Sequence, residues 1–262
     1  MATGAQPPWL IRWISYLRSF TASIATLTII AVYGLCMIVA VLVTRSQKVG
    51  DFFVRTWSQS MMWMFNIKVV VRGLENLPDE GCLYIFNHSS HFDIPIFHSV
   101  MPQTVRFGAK IELFKFPIFG HAMRVAGVLP IVRHDKKAVF KVYEEAISRV
   151  KKGEKFILAA EGTRHTKPEV GPRFKVGPFL FAINGQFPIV PVVIVGAHGV
   201  LEKGRLFAMW GQWRRTVSVE FLSPVSTKGL KAENLTELQN QVQKEMIEAF
   251  QKGEKLIKAG EV

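Results

Sequence analysis

Two side chains able to handle a proton stand five positions apart in the stretch Asn87-His88-Ser89-Ser90-His91-Phe92-Asp93. On one regular helix His88 and Asp93 would be separated by about 500° of rotation and point in different directions, so they can meet only across a turn. The flanking residues supply one. Leu83 to Phe86 is an apolar, strand-like run, and Ile94-Pro95-Ile96-Phe97 reads as the first turn of a helix. A strand ending at Asn87 and a helix starting near Ser90 or Asp93 would fold the imidazole back onto the carboxylate, giving a base beside the acid that orients it. The same residues read equally well as helix-start chemistry. Asp93 ahead of Ile94-Pro95 is a good N-cap, and Ser90 with Asp93 three residues on resembles a capping box. A metal site of His88, His91 and Asp93 is disfavoured, because no Cys/His pair elsewhere has ligand spacing.

The elements that would position this turn can be read along the chain. Strand-like runs fall at Lys68 to Val71, Leu83 to Phe86, Thr104 to Gly108, Val128 to Val132, Lys155 to Ala160, Ile189 to Val195 and Thr216 to Phe221. Lys136 to Lys152 carries Val139, Val142, Ala146 and Val150 at helical spacing, with Asp135 as a cap. Asn234 to Lys258 does the same with Leu235, Leu238, Val242, Met246 and Phe250. Strands alternating with helices predict an α/β fold, a sheet covered by helices.

The N-terminal part has a different composition. From Ser19 to Thr44 there is no charged residue, and Trp9, Arg12, Trp13 and Arg18 precede it as interfacial anchors would. As a helix this run would be about 36 to 39 Å long, enough to cross a bilayer core, and too long for the apolar part of a signal peptide. A single crossing would put Arg12 and Arg18 opposite a basic domain, against the positive-inside tendency. A second apolar patch, Phe52 to Ile67, is interrupted by Arg55. The expectation is a helical pair set into one leaflet, with Gly34 as a bend, over residues 1–67, followed by an α/β domain over 68–262.

The whole chain is greasy and basic: 262 residues, 49% hydrophobic, with 33 Lys+Arg against 20 Asp+Glu and a net charge of +13. Such a balance suits an anionic bilayer surface or nucleic acid, and no nucleic-acid motif is present, so membrane lipids are the expected partner and nucleic acid is not. The two cysteines, Cys36 and Cys82, form no framework. Their sparse use fits a reducing compartment, hence the cytoplasmic face of a membrane, the inner membrane in a bacterium.

The turn around His88 also resembles the H-x-x-x-x-D block of the glycerolipid acyltransferases, the family of the 1-acylglycerol-3-phosphate acyltransferases. Further blocks follow in that family's order: Lys110-Ile111-Glu112-Leu113, Gly127 through Ile131 to Arg133, Glu161-Gly162-Thr163-Arg164, and Val190-Pro191-Val192. Ordered blocks spanning roughly Lys68 to Val225 are far more specific than any one alone, and they favour the acid/base reading of His88 and Asp93 over the capping one. The resemblance implies a twisted mixed sheet flanked by helices. It implies a membrane-bound enzyme moving a fatty acyl group from acyl-CoA or acyl carrier protein to the sn-2 hydroxyl of lysophosphatidic acid, with no metal or bound cofactor and no acyl-enzyme. In that scheme His88 is the base and Asp93 its orienter. Arg133, Gly162, Thr163 and Arg164 hold the acceptor phosphate, with Glu161 beside them, and Lys110 contacts phosphate or the thioester carbonyl. The chain departs from the family's usual pattern at Ala159-Ala160, Pro130 and His165. The alternatives are another lysolipid acceptor, such as a lyso-ornithine lipid or lysophosphatidylcholine, and a non-catalytic adaptor for anionic lipids.

Overall fold

The computed structural model describes residues 8–261. Two helices come first, α1 (Trp9–Thr44) and α2 (Gln47–Met64). Arg45, in the left-handed conformation with its amide on Val41 O, ends α1 and reverses the chain. Val41 lies against Gly50, Tyr33 packs edge-on to Phe53, and Thr26 reaches the sulfur of Met61 at 3.6 Å. The two helices are therefore antiparallel. Among the described residues α1 alone is long and apolar enough to cross a membrane, yet its most apolar window is only 17% buried. α1 runs through Gly34 as one continuous helix. Gly34 lets another helix approach: a Cβ there would lie 3.2 Å from Ile118 and 3.6 Å from Ala122.

The remainder is a seven-stranded sheet with helices on both faces. Its strands are β1 (Ile67–Arg72), β2 (Leu83–Phe86), β3 (Val105–Lys110), β4 (Leu129–Ile131), β5 (Lys155–Ala159), β6 (Ile189–Val195) and β7 (Arg215–Phe221), in the order β1-β7-β6-β2-β5-β3-β4. All seven fall on the strand-like runs of the sequence. Every neighbouring pair is parallel except β6 with β7, so the sheet is mixed. Pro191 lies inside β6, where a ladder proline is ordinarily excluded. Ile189 bridges Val225 while Val192 pairs with Phe221, so the facing chain has one residue more, and the proline sits at that bulge. Pro130 sits in β4, an edge strand, where a missing amide costs no ladder bond on the open side.

Side-chain alternation assigns the two faces. Tyr84 and Phe86 of β2 join a core with Phe92, with Ile96 and Phe97 of α3 (Asp93–Val100) and with Met61, Met62 and Phe65. Leu83 and Ile85 point the other way, into a core with α5 (Lys136–Lys151), α6 (Val176–Gly185) and α7 (Leu235–Ala259). All four β2 residues are buried, as expected for a central parallel strand covered on both faces. The short α4 (Phe119–Val125), which the sequence pattern did not reveal, packs against α1 through Ala122, Met37 and Val41.

Candidate active site

Because β2, β3, β4, β5 and β6 run parallel, their carboxyl ends lie on one edge of the sheet, where open α/β sheets gather their ligands. His88 follows β2, Lys110 ends β3, Arg133 follows β4 and Glu161 to Arg164 follow β5. Every residue singled out for chemistry is on that edge.

His88 is held from three sides. Its Nδ1 lies 2.8 Å from Asp93 Oδ2, and its backbone amide donates to Glu161 Oε2 at 2.7 Å. Its carbonyl accepts from the His165 amide at 2.9 Å. Asp93 Oδ2 also accepts the amides of Ser89 and Ser90, at 2.8 and 2.9 Å. Three N–H donors converge on one oxygen, which requires an acceptor there, so Nδ1 carries the imidazole proton and Nε2 presents a lone pair. Nε2 has no hydrogen bond among the described residues. The ring packs edge-on to Phe86 and remains 12% exposed, while Asp93 is fully buried. Chemically this is a proton acceptor whose direction is set by a dry carboxylate.

The capping alternative is answered by the same bonds. Phe92, not Asp93, is the N-cap of α3, and no side chain caps that helix. The Asp93 carboxylate turns back over the preceding turn. Ser90 does the local work: its hydroxyl accepts the Phe92 amide at 3.2 Å and donates to Leu201 O at 3.1 Å. Cys82 is fully buried and its thiol is pushed up to about 12 by burial, so it is an inert core residue. Among the described residues no group of three or more His, Cys, Asp or Glu is placed to hold a metal ion.

Glu161 is 3% exposed, and both its oxygens are engaged by backbone, Oε2 by His88 and Oε1 by the Gly171 amide at 2.8 Å. Burial pushes its carboxyl up to about 7 against the pull of those two amides, and the charge of Asp93 adds to the rise. It faces His88 rather than an arginine. Gly162 takes φ +70°, and a Cβ there would lie 3.1 Å from Lys175. That close approach lets the Lys175 amide reach Ala160 O at 2.7 Å. Thr163 is exposed and Arg164 half-buried.

Burial lowers the guanidinium pKa of Arg164, opposed by the charge of Asp93. Burial also lowers that of Arg133, and the positive charge of Arg164 adds to the effect. Both guanidiniums follow strands that end on the same edge of the sheet and remain charged at neutral pH. Lys110 is exposed and pairs with Glu112 at 3.3 Å. Phe114, in the aromatic stretch beyond Lys110, lines a recess of about 390 Å³ with Arg124, Val128, Pro130, Val142 and Arg149. None of the eight site residues lines that recess.

Some contributors carried no signal in the sequence. Asn87 is buried and its amide group pairs with the backbone of Ile194, donating to its carbonyl at 2.9 Å and accepting from its amide at 2.7 Å. It extends the β2–β6 ladder one step and fixes where the turn begins. Gly171 could not be found either, since it acts through a backbone amide ten residues from Glu161.

A family model described as acyltransferase matches residues 68–195. The 1-acyl-sn-glycerol-3-phosphate acyltransferase BAT2, chloroplastic, of Brassica napus is 33% identical over 160 residues, covering 60% of this chain and 46% of the relative. The chain likewise spans 44% of a chloroplastic relative from Arabidopsis thaliana. The 1-acyl-sn-glycerol-3-phosphate acyltransferase of Saccharomyces cerevisiae is 27% identical, covering 91% of this chain and 78% of its own. The crystal structure of the 1-acyl-sn-glycerophosphate (LPA) acyltransferase PlsC from Thermotoga maritima superposes with a TM-score of 0.79 at 26% identity, over 93% of this chain and 98% of that one. With the ordered blocks assembled on one sheet edge, the chain carries an acyltransferase domain over residues 68–195 and is similar in sequence and in fold to the 1-acyl-sn-glycerol-3-phosphate acyltransferases.

Proposed function

We propose that the protein transfers a fatty acyl group from a thioester, acyl-CoA or acyl carrier protein, to the sn-2 hydroxyl of lysophosphatidic acid, forming phosphatidic acid. The observation that carries this reading is the His88–Asp93 pair with Nε2 unengaged at the carboxyl edge of the sheet. His88 takes the hydroxyl proton as the oxygen attacks the thioester carbon, the carbon–sulfur bond breaks, and the thiolate leaves with a proton. Asp93 keeps the lone pair on Nε2 and stabilises the imidazolium. General-base assistance of this kind is typically worth about 10²- to 10⁴-fold.

Arg133 and Arg164, with the amides around Gly162 and the hydroxyl of Thr163, hold the acceptor phosphate, and Lys110 supplies a further cation. Support comes from the placement of Arg133 after β4 and of Arg164 after β5 on the same sheet edge and from the preference of arginine for planar, bidentate phosphate contacts. Glu161 serves as the brace that seats His88. The test is an acceptor panel: loss of Arg164 in Arg164→Ala should raise KM for lysophosphatidic acid and leave a phosphate-free lysolipid unaffected. Wild-type preference for a phosphate-free acceptor would overturn the role given to Arg164.

We assign residues 1–67 to a membrane-seating helical motif and 68–262 to the catalytic domain, working at the cytoplasmic face. What supports a seat in one leaflet is that α1 touches the domain along its length. Ser19 reaches Met209 O, Gly34 meets Ile118 and Ala122, and Met37 and Val41 pack near Ala122. A helix crossing upright could not keep those contacts without drawing the domain into the bilayer. The outward side of α1 carries Trp9, Trp13, Leu17, Leu27, Leu35, Leu42 and Val43, all more than half exposed.

A further inference from the structure

The segment between β6 and β7 presents side chains that neither the core nor the chemistry uses. Ala208 and Met209 at its centre are buried in the core. The residues around them face outward: Leu206 is 85% exposed, and Trp210 and Trp213 are close to half exposed. An apolar tip anchored by a buried centre is the opposite of what a solvated loop shows, where small and polar residues dominate.

This tip is continuous with the outward face of α1. Trp210 lies 5.0 Å from the ring of Tyr16 and stacks on Phe207 at 5.1 Å, and Phe207 meets Phe20 at 5.6 Å. Arg18 lies over the ring of Trp213 at 4.8 Å and donates to the carbonyls of Gln212 and Trp213. Gly211, at φ +73°, leaves room for Tyr16, whose ring would lie 2.7 Å from a Cβ. Lys203, Arg205 and Arg214 surround the apolar tip and are exposed, against one acidic residue, Glu202, which pairs with Arg205 at 3.5 Å. Tryptophan and leucine ringed by cations is the pattern of an element lying at the headgroup boundary of an anionic bilayer.

We infer that residues 201–214 form a second membrane-seating element, with Leu206, Trp210 and Trp213 at the acyl boundary and Arg205 and Arg214 on anionic headgroups. The inference rests on the reading of α1 as seated in one leaflet, whose apolar face it extends. The partner is the lipid surface itself. The loop also touches the site, through Ser90 Oγ to Leu201 O and through Lys203 Nζ to Arg164 O at 3.3 Å. Its seating therefore sets the distance between the membrane surface and the turn that holds His88.

The experiment uses the full chain with Cys36→Ser, leaving the buried Cys82, and one introduced cysteine carrying a nitrobenzoxadiazole label. Leu206→Cys reports on the loop, Leu17→Cys on α1, and Lys228→Cys on an exposed turn away from both. Vesicles contain phosphatidylcholine and phosphatidylglycerol with nitroxide-labelled lipid. The expected result is blue-shifted emission and nitroxide quenching at positions 206 and 17 and neither at 228, with Arg205→Glu/Arg214→Glu reducing quenching at 206 only when phosphatidylglycerol is present. Quenching at 17 without quenching at 206 would overturn the loop assignment and leave the seat of α1 standing. Quenching at neither would remove both. A blue shift at 206 that grows with protein concentration and ignores nitroxide lipid would assign the patch to a second copy of the chain and overturn the inference.

Discussion

At the scale of single residues, the site depends on buried acceptors that face backbone amides. Asp93 fixes the ring of His88 and Glu161 its backbone amide, so conservative changes at either should be costly. Asp93→Asn would turn an NH₂ group or a weaker acceptor towards three N–H donors and lose the preferred tautomer. It should cost about 1–3 kcal/mol of stability and lower kcat more than it changes KM. Glu161→Gln makes a sharper prediction because the carboxyl is pushed up to about 7 by burial. Between the ordinary glutamate value and 7 the folded chain holds a proton that the unfolded chain releases. This contribution therefore favours the fold below that window and is lost as pH rises through it. Unfolding midpoints measured across pH should show the loss in wild type and a flatter profile in Glu161→Gln. An unchanged slope would place the titration elsewhere. The five-residue spacing across a strand–turn–helix junction left the His88/Asp93 pairing and helix capping equally open, and the ordered blocks favoured the pairing. The brace from Glu161 was not, since a carboxylate that reads as a ligand for arginine or substrate is here consumed by two main-chain amides.

At the scale of elements, strand positions were legible because seven short apolar runs are bounded by polar turns, and α5 and α7 showed through their helical spacing. The shorter helix α4 did not. It has seven residues, too few to establish a period, and its place is set by tertiary contact with α1. The packing role of Gly34 was not legible for the same reason: its lack of a side chain admits a helix distant in sequence. Gly34→Leu should separate α1 from α4 and cost about 1–3 kcal/mol, readable as a lower thermal midpoint in detergent. The helical pair is also tied to the sheet by charge. Asp51 of α2 accepts from Arg106 and from Thr104 Oγ1, the latter at 2.8 Å, and Arg106 is only 9% exposed. Asp51→Ala leaves that guanidinium with Glu154 alone, at 3.9 Å. Removing one partner of a largely buried pair should cost about 3 kcal/mol or more, while a change at exposed Lys228 should cost nothing measurable.

At the scale of the molecule, a basic chain with an apolar helical pair at one side of its domain implies a fixed orientation on an anionic surface. The long uncharged run could be read as membrane-seeking from sequence, and Arg12 and Arg18 on its N-terminal flank favoured a pair set into one leaflet over a crossing. Composition alone does not distinguish a helix that crosses from one that lies along the domain it serves. The contacts of Ser19 with Met209 O and of Gly34 with Ile118 and Ala122 are what favour the second arrangement. Tags at the N-terminus and the C-terminus should both be accessible from the same side of sealed vesicles, and accessibility from opposite sides would mean a crossing. Net charge of +13 adds attraction that salt screens, whereas burial of the outward face of α1 is not screened. Binding to anionic vesicles should therefore weaken with salt without being abolished.

The central claim is general-base acyl transfer by His88. It is tested most directly by following a radiolabelled acyl group from acyl-CoA or acyl carrier protein to lysophosphatidic acid, with purified wild type and His88→Ala side by side. The prediction is labelled phosphatidic acid from wild type and a fall of about 10²- to 10⁴-fold in His88→Ala, with its unfolding midpoint and vesicle binding preserved. Undiminished transfer by His88→Ala would contradict the account.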